Sequence, residues 1–442
     1  MKKLLFAMFA IMVAVACTNV DEPIGKNGNV LQEKEVNANI RTPEEVAECV
    51  QNLVDAIDRK NPSRAGNRRV VSEVVPVKNS HIASRSIDPN NKLTHGNDTV
   101  KFYFVNFADS SGFAVAGAEL DSEPVYAIID HGNAKWDGFT TYEHFHLANF
   151  MDMFILGNDC SGQIQHRDSI IKKINEWDIT EMKAPILETN WSQRDPYNRF
   201  CPLDDGVVCP TGCVPTALAQ ILSHFQTIDS VPYQDGRKGH IKMMWSRILS
   251  QCRGNNGRVK PSDTPLSERV SHLMRYIGRG IGAKYSQKST SADPEDGLRW
   301  LRDHANLDIS ELKDYNISEI IGSIKDGNPV YGRGSSGKEQ FLGLITTGYK
   351  YNHSWVYDGY LKAEDTSVWP FKKRDFVHCN WGWNGADNGY YLSKVFETAN
   401  GPEITDNEAF EDLPDPSVGS GTPGGNTRYG NKLKYCKIWK KQ

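Results

Sequence analysis

Cys213 has the local sequence of a nucleophile. It follows Gly212 and precedes Val214 and Pro215, and apolar residues then recur at helical spacing, which predicts a helix. Proline is tolerated only in the first turn, where its missing N–H costs nothing, so Pro215 predicts that this helix begins beside Cys213. A sulfur at the positive end of a helix dipole is favoured as the thiolate, which is the nucleophilic form. For this stretch alone, an ordinary buried cysteine beside a helix end is the alternative.

A nucleophilic cysteine also needs a base, a group that holds the base, and donors for the oxyanion. His353 precedes a predicted strand, and Asn380 and Trp381 lie at the end of another, where an amide and an indole could orient and shield an imidazole. Upstream, Gln193 could place a side-chain N–H beside the sulfur, together with the backbone N–H of Cys213. Each residue alone has a purely structural alternative, but their order along the chain favours an active site.

These residues stand in motifs that closely resemble the streptopain family of cysteine peptidases. The motifs are Gln193 with Pro196-Tyr197-Asn198, Thr211 to Gln220, His353 to Gly359, and Asn380-Trp381-Gly382-Trp383. The separation of 140 residues between Cys213 and His353 agrees with the roughly 130–150 residues of papain-type enzymes. The resemblance spans roughly residues 170–440.

The resemblance implies a papain-like fold with a helical lobe and an antiparallel β lobe, and an active site between them. It implies Cys213 as the nucleophile and His353 as its proton partner. Gln193 would be the oxyanion donor, and Trp381 with neighbouring Asn380 would hold and cover the histidine. The Gly/Pro-rich segment near 419–425 would be the family's mobile loop beside the substrate cleft.

The N-terminal region is similar to the streptopain-type propeptide, mainly in its strand pattern. The similar runs are 103–107, 112–116 and 125–129. The similarity implies an inhibitory pro-segment over residues 40–165, and a cut between about 160 and 185 that leaves a peptidase domain within 166–442. The chain's own propeptide would then be an intramolecular partner of the enzyme.

The first residues predict export. Lys2 and Lys3 precede an apolar run that is too short to span a bilayer, and the run ends in small residues before Cys17. This resembles the lipobox of bacterial lipoproteins, so residues 1–17 are predicted to be a lipoprotein signal, with a lipid on Cys17 that anchors the protein at the cell envelope or surface. A plain secretory signal is the alternative. Residues 18–39 have the polar composition of a flexible tether.

Composition excludes several other classes of function. The chain has 442 residues, of which 24% are charged, and a formal net charge of −4, and it has no basic run interleaved with aromatics, so we expect no nucleic-acid partner. Nine cysteines show no framework spacing, and no second pair accompanies Cys209 and Cys213 at zinc-ligand spacing, so we expect no metal and no cofactor. The motifs are accompanied by extra cysteines, and a structural disulfide between two of them is an open alternative. These are residues 201, 209, 252, 379 and 436.

Periodicity and turn chemistry predict helices first and a sheet afterwards in the peptidase region, which indicates an α+β fold preceded by a small α+β pro-domain. Helices are predicted over 41–59, 143–156, 169–178, 213–225, 267–281, 293–304 and 317–325. Strands are predicted over 100–107, 112–118, 125–130, 329–332, 341–346, 354–360, 375–381 and 389–392. The stretch between Lys362 and Arg374 is predicted to be an insertion that separates two sheet strands.

The leading hypothesis is therefore an exported, lipid-anchored zymogen of a cysteine endopeptidase that hydrolyses protein and peptide substrates through Cys213 and His353. Two alternatives remain. One is a Cys-His acyltransferase of the transglutaminase kind, and the other is an inactive surface binding or inhibitor protein on the same scaffold.

Overall fold

A computed structural model of the chain describes residues 39–61, 68–78, 99–134, 174–335, 338–341, 345–349, 352–396 and 431–441. The predicted signal peptide, nearly all of the tether, the helix over 143–156 and the loop over 419–425 lie outside these residues. The described residues form one compact unit from Asn39 onward. Within the described ranges, no helix has the length and hydropathy needed to cross a membrane.

Six α-helices occur in the described residues, and local sequence explains where they begin. In the first of them Thr42 and Glu45 form a reciprocal capping box, in which Glu45 N–H donates to Thr42 Oγ1 at 3.3 Å and Thr42 N–H donates to the Glu45 carboxylate at 2.8 Å. The helices are α1 (Pro43–Lys60), α2 (Cys213–Phe225), α3 (Trp245–Arg253), α4 (Thr264–Gly280), α5 (Pro294–His304) and α6 (Ile317–Lys325).

The strands of the N-terminal part and of the helical region are β1 (Val71–Lys78), β2 (Val100–Phe107), β3 (Phe113–Gly117), β4 (Val125–Ile129), β5 (Trp177–Lys183), β6 (Leu203–Asp204), β7 (Val207–Val208), β8 (Ser230–Pro232), β9 (His240–Lys242), β10 (Lys284–Tyr285), β11 (Thr290–Ser291), β12 (Leu307–Ile309) and β13 (Lys313–Asp314). The remaining strands are β14 (Val330–Ser335), β15 (Lys338–Phe341), β16 (Ile345–Tyr349), β17 (Asn352–Asp365), β18 (Lys372–Asn380), β19 (Gly389–Leu392) and β20 (Asn431–Lys440).

One antiparallel sheet runs through both parts of the chain. Among the described strands its order is β1-β2-β3-β4-β19-β18-β17-β14-β20-β12, with β13 on β20 and β5 on β17. The N-terminal strands join the rest where β4 pairs with β19, in the register Gly389↔Ile129, Tyr390↔Ile128 and Tyr391↔Ala127. The N-terminal part and the later β region therefore share a continuous hydrogen-bonded ladder.

Two apolar cores flank this arrangement. One is built from α1, the N-terminal strands and the β17–β19 region, and it includes Trp355 and Trp381. The other is built around α2, α4 and α5, and it includes Tyr331 and Val356 from the sheet. The helix α2 is buried on nearly all sides, because it packs on both β17 and α4. The predicted α+β class, with a helical lobe and an antiparallel β lobe, is confirmed.

Two of the element predictions are wrong. The helix predicted over 169–178 fails in its described part, because Trp177 begins β5, which pairs with residues 360–365 of β17. The strand predicted over 341–346 is divided between β15 and β16. In the stretch between Lys362 and Arg374, β17 and β18 stay paired from Lys362↔Asp375 to Asp365↔Lys372, so this stretch forms the end of a hairpin.

Candidate active site

Backbone geometry around Gly212 holds the N-terminus of α2. Gly212 has a φ of +92°, and a Cβ at this position would lie 3.0 Å from the carbonyl oxygen of Thr290. Just before it, the N–H of Thr211 donates to the carbonyl oxygen of Gln193 at 2.9 Å. Cys213 is the first residue of α2, as predicted. The glycine therefore allows the chain to turn into the helix with the sulfur at its positive end.

The Cys213 thiol is half-buried and experiences opposing influences. Burial raises its pKa because it disfavours the charged thiolate, and this effect is the largest. Hydrogen bonds from the N–H and hydroxyl of Ser354, and from the N–H groups of Val214 and Cys213 itself, lower the pKa. The net pKa lies above its ordinary value. The helix terminus thus acts in the predicted direction, but in this arrangement the thiol keeps its proton at neutral pH.

His353 is buried near the start of β17, among indole rings. Its Nε2 lies 3.0 Å from the carbonyl oxygen of Trp381, which can only accept, so Nε2 bears a proton and donates. Its ring centroid lies 6.1 Å from that of Trp355 and 6.2 Å from those of Trp381 and Trp383. Burial lowers the pKa of His353 to about 4, and the hydrogen bond to Trp381 opposes this shift. The imidazole is therefore neutral at neutral pH.

Successive side chains of a strand point to opposite faces of the sheet, and this separates His353 from its neighbour Ser354. On one face, the Ser354 hydroxyl accepts from the Tyr331 hydroxyl at 2.5 Å, and Val356 packs with Tyr331 in the helical core. On the other face, His353 stacks beside Trp355, which belongs to the core of the sheet. Among the hydrogen bonds of the described residues, none joins the imidazole to the thiol.

Asn380 connects the end of β18 to the helical lobe. Its Nδ2 donates to the carbonyl oxygen of Thr189 at 2.8 Å, and its Oδ1 accepts from Nε2 of Gln220, on α2, at 3.2 Å. These bonds occupy its amide, and the group that holds the His353 imidazole is instead the backbone carbonyl of Trp381. Asn380 therefore positions the strand end from which that carbonyl projects.

Trp381 covers the imidazole and is itself fixed in place. Its indole N–H donates to the carbonyl oxygen of Asp387 at 3.1 Å and to the Tyr391 hydroxyl at 3.2 Å. Its backbone N–H donates to Oδ1 of Asn388 at 2.9 Å. The indole plane lies at 28° to the imidazole plane of His353. The predicted partnership of His353 with Trp381 is thus present in the structure as a ring contact and a hydrogen bond.

Gln193 is 7% exposed and lies beside the segment that leads into α2. Its carbonyl oxygen is the acceptor for Thr211, two residues before Cys213. Nearby, the backbone N–H of Trp191 donates to Oε1 of Gln220 on the same helix at 2.9 Å. Hydrogen bonds from Thr211 to Gln193 and from Trp191 to Gln220 therefore tie the Gln193 segment to the approach to α2 and to its middle.

A buried ionic cluster lies where β4 meets β19, and sequence reasoning did not identify it. His378 donates from Nδ1 to Asp358 Oδ1 at 2.6 Å and from Nε2 to Asp130 Oδ2 at 2.9 Å. Burial alone would lower the pKa of His378, but the two carboxylates outweigh it and raise the pKa to about 10. His378 and Asp358 belong to β18 and β17, whereas Asp130 follows β4. The cluster therefore joins the N-terminal part to the strands that hold His353 and Asn380.

Sequence reasoning also did not single out Ser354, which acts to lower the pKa of the Cys213 thiol, although Ser354 directly follows His353 in the motif. Alternation along a predicted strand was the available signal, because it assigns adjacent side chains to different faces. The seven described cysteines are free thiols, namely residues 49, 201, 209, 213, 252, 379 and 436. Among the described residues, no group of three or more His, Cys, Asp or Glu side chains is arranged to hold a metal ion.

Comparison with known proteins agrees with a thiol-based site. Residues 191–391 match the Peptidase C10 family. Streptopain of Streptococcus pyogenes is 21% identical over 336 residues, an alignment that covers 65% of this chain and 73% of streptopain. The thiol protease/hemagglutinin PrtT of Porphyromonas gingivalis is 24% identical over 403 residues, which cover 78% of this chain and 41% of PrtT.

Two solved structures from Prevotella intermedia also align with the chain. Prointerpain A aligns with a TM-score of 0.46 at 17% identity, covering 77% of this chain and 96% of that one. Active interpain A cysteine protease aligns with a TM-score of 0.35 at 23% identity, covering 48% of this chain and 87% of that one.

Proposed function

We propose, from the match of residues 191–391 to the Peptidase C10 family, that Cys213 and His353 hydrolyse peptide bonds once an N-terminal pro-segment has been removed. The observation that supports this most directly is the contact between the N-terminus of α2 and β17. Cys213 is the first residue of α2, which packs on β17, and His353 is the second residue of β17. The candidate nucleophile and the candidate base therefore lie on directly neighbouring elements.

In the proposed reaction the Cys213 sulfur attacks the peptide carbonyl carbon as the thiolate, after His353 has taken its proton. A C–S bond forms, and the negative charge on the carbonyl oxygen is stabilised by the Gln193 amide and the backbone N–H of Cys213. The C–N bond then breaks as the imidazolium gives its proton to the leaving amine. A water molecule, deprotonated by His353, hydrolyses the thioester and regenerates the thiol. The substrates are proteins and peptides.

We infer that the described arrangement is a zymogen, in which residues 40–165 are the pro-segment. Three features support this inference. The thiol of Cys213 is protonated at neutral pH, the imidazole of His353 is neutral and donates to the carbonyl of Trp381, and the N-terminal strands complete the sheet beside β19. In the active enzyme the imidazole must instead face the sulfur, which requires its release from the Trp381 carbonyl.

We further propose that residues 1–17 are a lipoprotein signal, that Cys17 bears a lipid, and that residues 18–39 tether the enzyme to the cell envelope or surface. The support is the sequence pattern, in which a short basic start is followed by an apolar run and small residues before Cys17. Metabolic labelling with a radiolabelled fatty acid tests this proposal. Label that persists in a Cys17→Ser variant would contradict it.

The test of the catalytic proposal is a comparison of wild type, Cys213→Ala and Cys252→Ala. Cys252 is a buried thiol on α3, so its variant controls for the loss of a cysteine as such. An intact-mass time course would report maturation, and casein cleavage would report activity. We expect wild type and Cys252→Ala to mature and cleave casein, and Cys213→Ala to do neither. Equal casein cleavage by Cys213→Ala, or amine incorporation in place of hydrolysis, would refute the proposal.

A further inference from the structure

The motif around Cys213 ends in a buried amide that the proposed reaction does not use. Gln220 lies seven residues after Cys213 on α2, which is close to two helical turns, so both side chains project from the same face of the helix. The side chain of Gln220 is fully buried. A buried amide is destabilising unless its oxygen and its nitrogen both form hydrogen bonds. The partners of Gln220 therefore show which parts of the fold it connects.

Both ends of the Gln220 amide are hydrogen-bonded, each to a different segment of the candidate site. Its Oε1 accepts from the backbone N–H of Trp191 at 2.9 Å, and its Nε2 donates to Oδ1 of Asn380 at 3.2 Å. Asn380 in turn donates from Nδ2 to the carbonyl oxygen of Thr189 at 2.8 Å. The two amides thus form a closed path from the 189–191 segment through α2 and the end of β18, and back to that segment.

Backbone groups at the two ends of this path fix the orientation of both amides. A backbone N–H only donates, so the atom of Gln220 that faces Trp191 is the oxygen, and the nitrogen faces Asn380. A backbone carbonyl only accepts, so the nitrogen of Asn380 faces Thr189 and its oxygen faces Gln220. Without the Gln220 amide, the N–H of Trp191 would lose this acceptor. Asn380 would keep the bond that its oxygen accepts from the N–H of Gly382 at 3.3 Å.

One end of the amide holds the segment that carries the proposed oxyanion donor. Gln193 is two residues after Trp191, whose N–H is fixed on the middle of α2 by Gln220. The side chain of Trp191 is itself fully buried, so this attachment lies inside the helical core. If the attachment were lost, Gln193 could move relative to the Cys213 sulfur. A displacement of about 1 Å can lower the rate of a reaction about 100-fold.

The other end of the amide holds the turn that covers His353. Asn380 directly precedes Trp381, whose carbonyl oxygen accepts from Nε2 of His353 at 3.0 Å. The turn then packs closely on α2, because a Cβ on Gly382 would lie 3.1 Å from the methyl group of Thr216. Thr216 is one helical turn before the glutamine, on the same face of α2. This face of the helix therefore supports the turn both by packing and by hydrogen bonding.

We propose that Gln220 is a positioning residue of this active site, which sets the distance of two segments from the helix that begins at Cys213. The first segment carries the oxyanion donor, and the second carries the carbonyl group that holds the imidazole. Gln220 acts through its bonds to Trp191 and Asn380, and not on the reacting atoms. This inference rests on the proposed function, because it gives Gln220 a part in setting the rate of peptide hydrolysis.

The experiment compares steady-state hydrolysis of a peptide substrate by the matured enzyme in wild type, Gln220→Met and Gln251→Met. Methionine has nearly the length and volume of glutamine but has no amide, so Gln220→Met removes both bonds with little change in packing. Gln251, on α3, is the matched control, because its Nε2 donates to Oδ2 of Asp263 at 2.7 Å and its Oε1 accepts from the N–H of Lys260 at 2.8 Å. Each substitution therefore breaks two hydrogen bonds of one glutamine, but Gln251 connects segments within the helical lobe.

We expect Gln220→Met to lower kcat by about 10- to 100-fold with little change in KM, because the displaced groups act on the transition state. Gln251→Met should match wild type in both constants, although its midpoint in urea unfolding falls. A wild-type kcat in Gln220→Met, a change confined to KM, or equal losses of kcat in the two variants would overturn the proposal. If Gln220→Met does not fold, Gln220→Asn takes its place, because the shorter side chain keeps the amide but cannot reach both partners. A wild-type kcat in that variant would also overturn the proposal.

Hydrogen exchange in the full chain distinguishes this proposal from the proposed function, because exchange does not depend on turnover. With Cys213→Ala in each protein to prevent self-cleavage, the amide of Trp191 should exchange about 10-fold faster in Gln220→Met, and at the wild-type rate in Gln251→Met. Unchanged exchange in Gln220→Met would overturn the positioning role. An absence of peptide hydrolysis by the wild-type enzyme would refute the proposed function itself, and that failure would leave the exchange difference in place.

Discussion

Asp130→Asn tests whether the buried ionic cluster fastens the N-terminal part of the chain to the peptidase strands. Asp130 directly follows β4, its side chain is 20% exposed, and it accepts from Nε2 of His378 at 2.9 Å. The variant removes one negative charge and keeps the size of the side chain. The second carboxylate, Asp358, remains 2.6 Å from Nδ1, so the histidine is not left without a partner.

The expected magnitude follows from the character of this bond. A hydrogen bond to a charged group contributes about 1.5–3 kcal/mol, and the amide oxygen of the variant retains part of it. We therefore expect Asp130→Asn to lower the free energy of local opening by an amount near the lower limit of this range. This corresponds to about a 10-fold change in the local opening equilibrium.

The pH dependence of the loss has a definite sign. The folded-state pKa of His378 is raised from 6.5 to about 10, so the stability that its charge contributes is complete below 6.5 and is lost as the pH rises through about 10. The difference between wild type and Asp130→Asn should therefore be present at neutral pH and should disappear above about pH 10, where His378 is neutral in both proteins.

Hydrogen exchange locates the effect. In a Cys213→Ala background, which prevents self-cleavage, amides of β4 and β19 should exchange about 10-fold faster in Asp130→Asn at neutral pH. Asp121→Asn is the matched control, because Asp121 is an exposed carboxylate on the same part of the chain. Urea unfolding at neutral pH and above pH 10 would test the charge dependence. Equal exchange in the two variants, or a difference that persists above pH 10, would refute the reasoning.

Two further predictions concern the active site. In the matured enzyme Gln193→Ala should lower kcat by about 100-fold with little change in KM, because an oxyanion donor acts mainly in the transition state; a change confined to KM would contradict this role. Gly212→Ala should destabilise the chain by about 1–3 kcal/mol, because φ is +92° and the new Cβ would meet the Thr290 carbonyl. Gly322→Ala on α6 is its control in urea unfolding, since a Cβ there meets nothing within 4 Å; equal losses in the two would contradict the argument.

The elements that could be predicted from the sequence are those whose limits are set by nearby residues. Thr42 with Glu45 defines the start of α1, and Asp293 accepts from the N–H of Glu295 at the start of α5. Pro215 restricts the start of α2 in the same way. In each case the residue that limits the helix lies within three residues of its start. The start can therefore be recognised from the local sequence alone.

The features that could not be predicted depend on pairing between distant residues. The strand β5 reads as helical in isolation, but Trp177 pairs with Asp365, 188 positions later along the chain. The β20 strand pairs with β14 and β12, whose paired residues lie at least 101 positions earlier in the chain. The Asp130–His378 contact likewise joins residues whose proximity arises only when β4 pairs with β19.

The position of that contact bears on how removal of a pro-segment would reach the active site. His378 is two residues before Asn380 on β18, and Asp358 is five residues after His353 on β17. The two strands that carry Asp358 and His378 therefore also position the His353 imidazole. The strand β17 contains His353 itself, and β18 leads to Trp381, whose carbonyl accepts from that imidazole. Removal of a pro-segment that contains β4 and Asp130 would leave the charge of His378 balanced by Asp358 alone, and it would take away one of the two strands with which β19 pairs. The strand β19 also pairs with β18, and the last pair joins Gly389 to Cys379. Cys379 is one residue before Asn380 and two before Trp381, whose carbonyl holds His353, so a displacement of β19 would act close to the active site.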